Sequence, residues 1–228
     1  MALTLVIGNK NYSSWSLRPW IAMKVAGIAF DEIMIPLYVP GSCEAIAKHT
    51  PAGKVPVLID GDRHVWETIA ILEHLAEKFP TAGLWPQDAP ARGHARVISA
   101  EMHAGFTALR RNCPMNMWLP PKTRPLPDEV KPDVTRIEGI WADCRQRFGQ
   151  GGPFLFGSFG AADAMYAPVV ARFYNYRIPV GANARAYMDV VMALPAWKEW
   201  CAAAMKETWV MRHNEPDWPL VRGIKLSQ

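Results

Sequence analysis

The hydrophobic period changes once along this chain, and that change limits the folds open to it. Through roughly the first eighty residues, strand-length apolar runs alternate with stretches of helical period; after a proline-rich interruption only helical spacing continues. LTLVIG (residues 3–8) reads as a buried strand, and LRPWIAMKVAGI sets Leu17, Ile21 and Val25 on one helical face, with Gly27 as its stop. DEIMIPL (residues 31–37) is a second strand, and a strand, helix, strand unit this short predicts parallel pairing with a right-handed crossover. A helical piece at about 44–49 precedes VPVLID (55–60) and HVW (64–66), which flank a hairpin turn at Gly61-Asp62. ETIAILEHLAEKF then carries Ile69, Leu72, Leu75 and Phe79 at helical spacing.

A βαβ unit followed by a ββα unit points to a thioredoxin-like sheet in residues 1–80. PTAGLWPQDAPAR (80–92) breaks the periodicity, so residues 81–91 are expected to link it to an all-helical domain over 92–228. Helices are expected at about 92–112, 127–148, 161–177 and 183–207, with Pro195 breaking the last.

Half of the 228 residues are hydrophobic and 20% charged, the composition of a folded globular chain. The 25 Lys and Arg exceed the 21 Asp and Glu by four, with no block of like charge and no basic run interleaved with aromatics, so nucleic-acid binding gains little support. The opening MALTLVIGNK is too short for a membrane span and lacks the basic start and cleavage site of a secretory signal, which makes the cytoplasm the expected location. Cys43, Cys113, Cys144 and Cys201 lie far apart, without C-x-x-C or a Cys/His cluster at metal-ligand spacing; neither zinc nor a dithiol redox centre is expected, and packed reduced thiols are the simpler reading.

The stretch NYSSWSLRPW (residues 11–20) lodges Ser13, Ser14 and Ser16 between the first strand and the first helix. Serine is a favoured helix cap, and capping alone accounts for such a cluster. A hydroxyl at a helix start also donates to an anion there, aided by the positive helix end.

Taken together, SSWSLRPWIAM, KVPVLID, ETIAILEHL and GAADAMYAP, in this order and across essentially the whole chain, resemble a cytosolic glutathione transferase of the serine type, most like the zeta class and more loosely the tau class. The resemblance implies a thioredoxin-like domain that binds glutathione, a helical domain that supplies most of the pocket for a hydrophobic electrophile, and a two-fold homodimer. Against the zeta pattern S-S-C-S-W-R the catalytic serine falls on Ser13, with Ser14 its close competitor, Ser16 structural, and Trp15 where zeta enzymes carry cysteine. Tyr12 ranks third, as the phenol of a tyrosine-type enzyme. The same turn carries cysteine in thiol-exchange relatives; serine here disfavours that chemistry, because it forms no mixed disulfide.

Glutathione would be held by Lys54 at the glycyl carboxylate, by the backbone at Val55 before a cis Pro56, and by Glu67 and Thr68 at the γ-glutamyl end, where a helix start takes up a carboxylate. An exposed loop lysine and ordinary capping are the competing readings of Lys54, Glu67 and Thr68. Asp163 belongs to the family's helix-capping signature and serves folding; Gly160 stands where Ser or Thr is usual, at an expected loss of a few tenths of a kcal/mol. Met115, Met117, Trp118 and Tyr166, with Tyr12 and Trp15, are candidates for the electrophile pocket, though Met and aromatics at helical spacing are more often core. Arg110 and Arg111 would attract an anionic substrate or sit as a solvated helix end. No metal is implied. A ligand carrier that kept the fold without catalysis, and a zeta-type cis-trans isomerase, are the alternative functions.

Overall fold

The computed structural model describes residues 2–217, 220–221 and 224–225. Strand β1 (Leu3–Ile7) leads into helix α1 (Ser14–Val25) and strand β2 (Phe30–Met34), which lies parallel to β1 as a short right-handed unit requires. After α2 (Ser42–Ala47), β3 (Val57–Asp60) and β4 (Arg63–Trp66) form the expected hairpin, and α3 (Thr68–Lys78) follows. The sheet order is β2-β1-β3-β4, with β3 antiparallel to β1. Gly27 takes φ +67 just past α1, a left-handed position that glycine fills without steric cost.

The helical part comprises α4 (Ala89–Ala104), α5 (Thr107–Asn112), α6 (Val130–Phe148), α7 (Ala161–Asn175), α8 (Ala182–Ala193) and α9 (Pro195–Ala204). Three expectations need correction. Helix α4 begins inside the expected linker, because Asp88 caps it by accepting the Ala91 N–H at 2.9 Å and Pro90 sits in its first turn, where a missing N–H costs nothing. The single helix expected over 92–112 is two, parted at Gly105 and Phe106, the latter at φ +58. Beyond α9 the chain is not all helical: a 3₁₀ turn (Arg212–Asn214) precedes a two-stranded ladder of β5 (Leu220–Val221) and β6 (Ile224–Lys225).

The core is continuous from the sheet into the helices. At its centre lies α7, every residue of which is buried except Tyr174. Trp141 from α6 packs against Tyr166, Phe173 and Tyr187 at ring separations of 4.7–6.0 Å, and α1 crosses α7, where Arg18 Nε donates to the Met165 carbonyl at 3.0 Å.

Asp163 anchors the start of α7. Its carboxylate accepts the N–H groups of Gly160 (2.9 Å) and Leu155 (3.1 Å) and the Tyr187 hydroxyl (3.0 Å). Gly160 is more than a weakened cap: a Cβ built there would lie 2.9 Å from the Leu84 carbonyl oxygen, which also accepts the Ala161 N–H at 2.7 Å. A serine at this position would restore a capping hydroxyl only by pushing that backbone away. Gly160→Ser is therefore expected to lower stability by about 1–3 kcal/mol, the cost of overpacking, rather than raise it, as read by thermal unfolding.

Candidate active site

The first wall is Trp15 in the first turn of α1; Ser13 and Ser14 stand just before it and are not among the residues that line the cavity. Ser13 is the N-cap of α1 and is buried; its Oγ accepts the Ser16 N–H (3.4 Å) and lies 2.8 Å from Ser16 Oγ, which in turn accepts the Gly8 N–H at 3.1 Å. Ser14 is half-buried and its hydroxyl makes no hydrogen bond among the described residues. Pro19 lies inside the helix and has no N–H to give the Trp15 carbonyl four residues back. That carbonyl instead accepts the Thr68 hydroxyl at 3.3 Å, so one proline ties the start of α1 to the start of α3.

The second wall is the approach to β3 and the start of α3. The Val55–Pro56 peptide is cis, as the resemblance implied. Glu67, the residue before α3, holds φ +69 and ψ 123, a region costly for any side-chain-bearing residue. Its carboxylate lies 3.6 Å from His103 Nε2. Glu67→Gly is expected to relieve this backbone and raise stability by about 1 kcal/mol while weakening ligand affinity, two opposite changes that calorimetry and thermal unfolding separate.

Between these walls is a cavity of about 340 Å³ lined by Trp15, Ala52, Lys54, Val55, Pro56, Trp66, Glu67, Thr68, His103 and Arg110. All five residues picked from the sequence for glutathione, with Trp15, thus share one concavity. Ala52, Trp66, His103 and Arg110 complete it. His103 gave no sequence signal, as a histidine in the last turn of a helix is ordinary dipole chemistry. Trp15 is the centre of this wall: the Arg18 guanidinium stacks at 4.2 Å from the ring, that of Arg110 at 4.6 Å, and His103 meets it edge-on at 5.1 Å.

The remaining pocket candidates lie elsewhere. Met115, Trp118 and Tyr166 are core residues, and Met117 is half-buried against that core; the Trp118 indole donates to the Ala204 carbonyl at 2.8 Å and the Tyr166 hydroxyl to that of Ile98 at 3.2 Å. Each finds its hydrogen-bond partner inside, which is the common fate of buried amphipathic aromatics. Tyr12 is buried too, its hydroxyl donating to Glu215 at 2.5 Å, and burial followed by Glu215 pushes its pKa upward, away from a role as thiolate donor. Arg111 is a solvated helix end paired with Glu129 at 2.7 Å.

All four cysteines are free thiols. Burial pushes Cys113 and Cys144 up to about 12 and Cys201 to about 11, so these three are protonated and poorly nucleophilic at neutral pH. The fold does gather His94, Asp143 and Cys144 with donor atoms within 4.8 Å, a grouping invisible in their sequence spacing. A metal there would have to displace Arg147 from Asp143 (3.0 Å) and deprotonate that raised thiol, so the donor set fits a metal poorly. No helix of the described residues is long and apolar enough to cross a membrane.

Comparison with known proteins agrees with this geometry. The glutathione S-transferase N-terminal domain family matches residues 12–78, and the glutathione S-transferase C-terminal domain family matches residues 127–203. Over 76 residues the chain is 42% identical to bovine (Bos taurus) glutathione S-transferase theta-1, covering 33% of this chain and 30% of that protein. Over 97 residues it is 31% identical to a probable maleylacetoacetate isomerase of Caenorhabditis elegans, covering 42% of this chain and 45% of that one. The matched segment thus spans less than half the length of these curated relatives. A theta-class glutathione S-transferase of Xanthomonas axonopodis pv. citri, solved with glutathione bound, superposes with a TM-score of 0.62 at 22% identity over 88% of this chain and 97% of that one. The chain belongs to the glutathione S-transferase family, with its thioredoxin-like sheet followed by a helical part.

Proposed function

We propose that this protein is a glutathione transferase that holds the glutathione thiolate for attack on an electrophile. The observation that carries the reading is that Lys54, Val55, Pro56, Glu67 and Thr68 line a single cavity whose remaining wall begins with Trp15, one residue past the serine pair. Free thiols titrate near 8.5, so a transferase must favour the thiolate, and each unit of depression corresponds to about 1.4 kcal/mol of preferential stabilisation. Ser13 supplies the hydrogen bond in this account. Ser13 Oγ accepts the Ser16 N–H, and its O–H donates to Ser16 Oγ; the hydroxyl rotates freely about its C–O bond, so its proton turns from the Ser16 oxygen to the sulfur, the stronger acceptor, when the thiolate is bound. Catalysis is then activation and positioning, without a protein nucleophile.

Thr68→Val is expected to weaken glutathione binding by about tenfold, since it removes a polar group from the cavity wall and frees the Trp15 carbonyl at once. Isothermal titration with glutathione reads this directly; unchanged affinity would contradict the assignment of the α3 start to the γ-glutamyl end. The same reading takes the chain as a cytoplasmic two-fold homodimer divided near residues 81–91, with Val97 on α4 among the exposed apolar side chains available to a partner copy. The sequence resemblance implied a hydrophobic electrophile, yet Lys54, Glu67, His103 and Arg110 make the cavity wall rich in ionisable groups.

A further inference from the structure

We infer that the electrophile taken by this pocket is an organic acid, whose carboxylate is bound by the Arg110 guanidinium. The inference rests on the transferase reading and names its second substrate class. Charge accounting around the cavity leads to it. Glutathione brings two carboxylates and one ammonium; Lys54 and the open N–H groups of the α3 start answer the carboxylates, and Glu67 answers the ammonium. Arg110 is left over on the opposite, helical side of the wall, beside Trp15 and His103.

The guanidinium is held in place. Its Nη1 donates to the carbonyls of His103 (3.1 Å) and Gly105 (3.3 Å), and its face rests 4.6 Å from the centre of the Trp15 ring, while no other hydrogen bond from it is made among the described residues. Behind the same ring lies Arg18, wholly buried, with Nη2 unpartnered, and Arg172 beyond it is buried with an unpartnered Nη1. Among the described residues none of these three guanidiniums has a carboxylate in ion-pair contact. Burial and the mutual repulsion of the three push Arg18 and Arg172 down, and burial lowers Arg110. Two stacked cations around one indole gain from the ring, but like charges gathered without an anion cost energy that a bound carboxylate removes. Arg110 is the member of this group that lines the cavity, and a guanidinium fork matches a carboxylate. The adjacent Arg111, by contrast, is exposed and already paired with Glu129.

The test uses two probes of one shape. In 4-(chloromethyl)benzoate and 4-(chloromethyl)benzamide the glutathione thiolate forms a C–S bond to the benzylic carbon as the C–Cl bond breaks, and chloride departs with the bonding pair. The expected result is a kcat/KM ratio favouring the acid by about tenfold or more, the worth of one charge-assisted hydrogen bond, falling close to one in Arg110→Gln and surviving in Arg111→Gln. Because Arg110 also closes the end of α4, Arg110→Lys is the companion variant: it keeps the charge and is expected to retain a clear preference for the acid. Binding of the unreactive 4-methylbenzoate and 4-methylbenzamide, followed by calorimetry, should show the same order. A ratio near one in the unaltered protein, or equal loss in Arg110→Gln and Arg111→Gln, overturns the inference. Should neither chloromethyl compound be turned over, the transferase reading falls, and the preference between the two unreactive probes still decides the acid site.

Discussion

Ser13→Ala should lower kcat for glutathione conjugation by about a hundredfold or more, the usual cost of deleting a hydrogen-bond donor to a developing or held anion, with glutathione affinity changed by no more than about threefold. The reason lies in the serine relay. Ser16 is fully buried and accepts the Gly8 N–H; its own N–H donates to Ser13 Oγ and its oxygen accepts the Ser13 hydroxyl, which holds Ser13 in place with a proton that can turn to a bound thiolate. Ser14 differs in being half-buried and without a hydrogen bond from its hydroxyl among the described residues, so it is the natural competitor. Steady-state kinetics of both alanine variants separate them: Ser14→Ala should retain most of the activity, and loss of activity in Ser14→Ala alone would move the donor by one residue. If neither variant loses activity, both serines are caps.

Asp163→Ala should be the most damaging change outside the cavity. It strands two buried donors, the Leu155 N–H and the Tyr187 hydroxyl, and the half-buried Gly160 N–H, and each stranded buried group costs about 1–3 kcal/mol. Relief of a buried charge offsets part of this, leaving a loss of about 3 kcal/mol at pH 7.5, or a melting temperature lower by about 6–12 °C for a chain of this size. The loss depends on pH. Burial outweighs the three hydrogen bonds and pushes the Asp163 carboxyl up to about 6. A folded pKa above the unfolded value of about 3.9 means that the associated stability is fully present below pH 4 and is lost as the pH rises through 6. The gap between the two proteins should therefore be wider at pH 5 than at pH 8. A gap that widens with rising pH would show that Asp163 is held ionised in the fold.

The sheet was legible because its order is written in short local signals: strand-length apolar runs, period-3.6 runs, a turn at Gly61-Asp62 and a stop at Gly27. The serine turn, Val55-Pro56 and Glu67-Thr68 were equally local. What sequence could not give was convergence. Arg110 was indistinguishable from Arg111 until the fold set one against Trp15 and the other against Glu129. Met115, Trp118 and Tyr166 had the right chemistry for a pocket and went to the core, since composition says which side chains seek burial and not what they are buried against. Helix α4 begins a few residues before its periodicity predicts, because its Asp-Ala-Pro cap lies in a stretch whose prolines also read as linker. Gly160 read as a missing cap, and only the Leu84 carbonyl shows why a side chain is excluded there.

The most direct test of the central claim is a pH titration of thiolate absorbance in the ultraviolet, with glutathione added to the protein and to a protein-free control. The account predicts that bound glutathione ionises at least one to two pH units below the free thiol, equivalent to about 1.4–2.7 kcal/mol of thiolate stabilisation, and that Ser13→Ala returns the midpoint toward the free value. A midpoint unchanged by the protein would contradict it, and the chain would then be a glutathione transferase fold that does not activate the thiol.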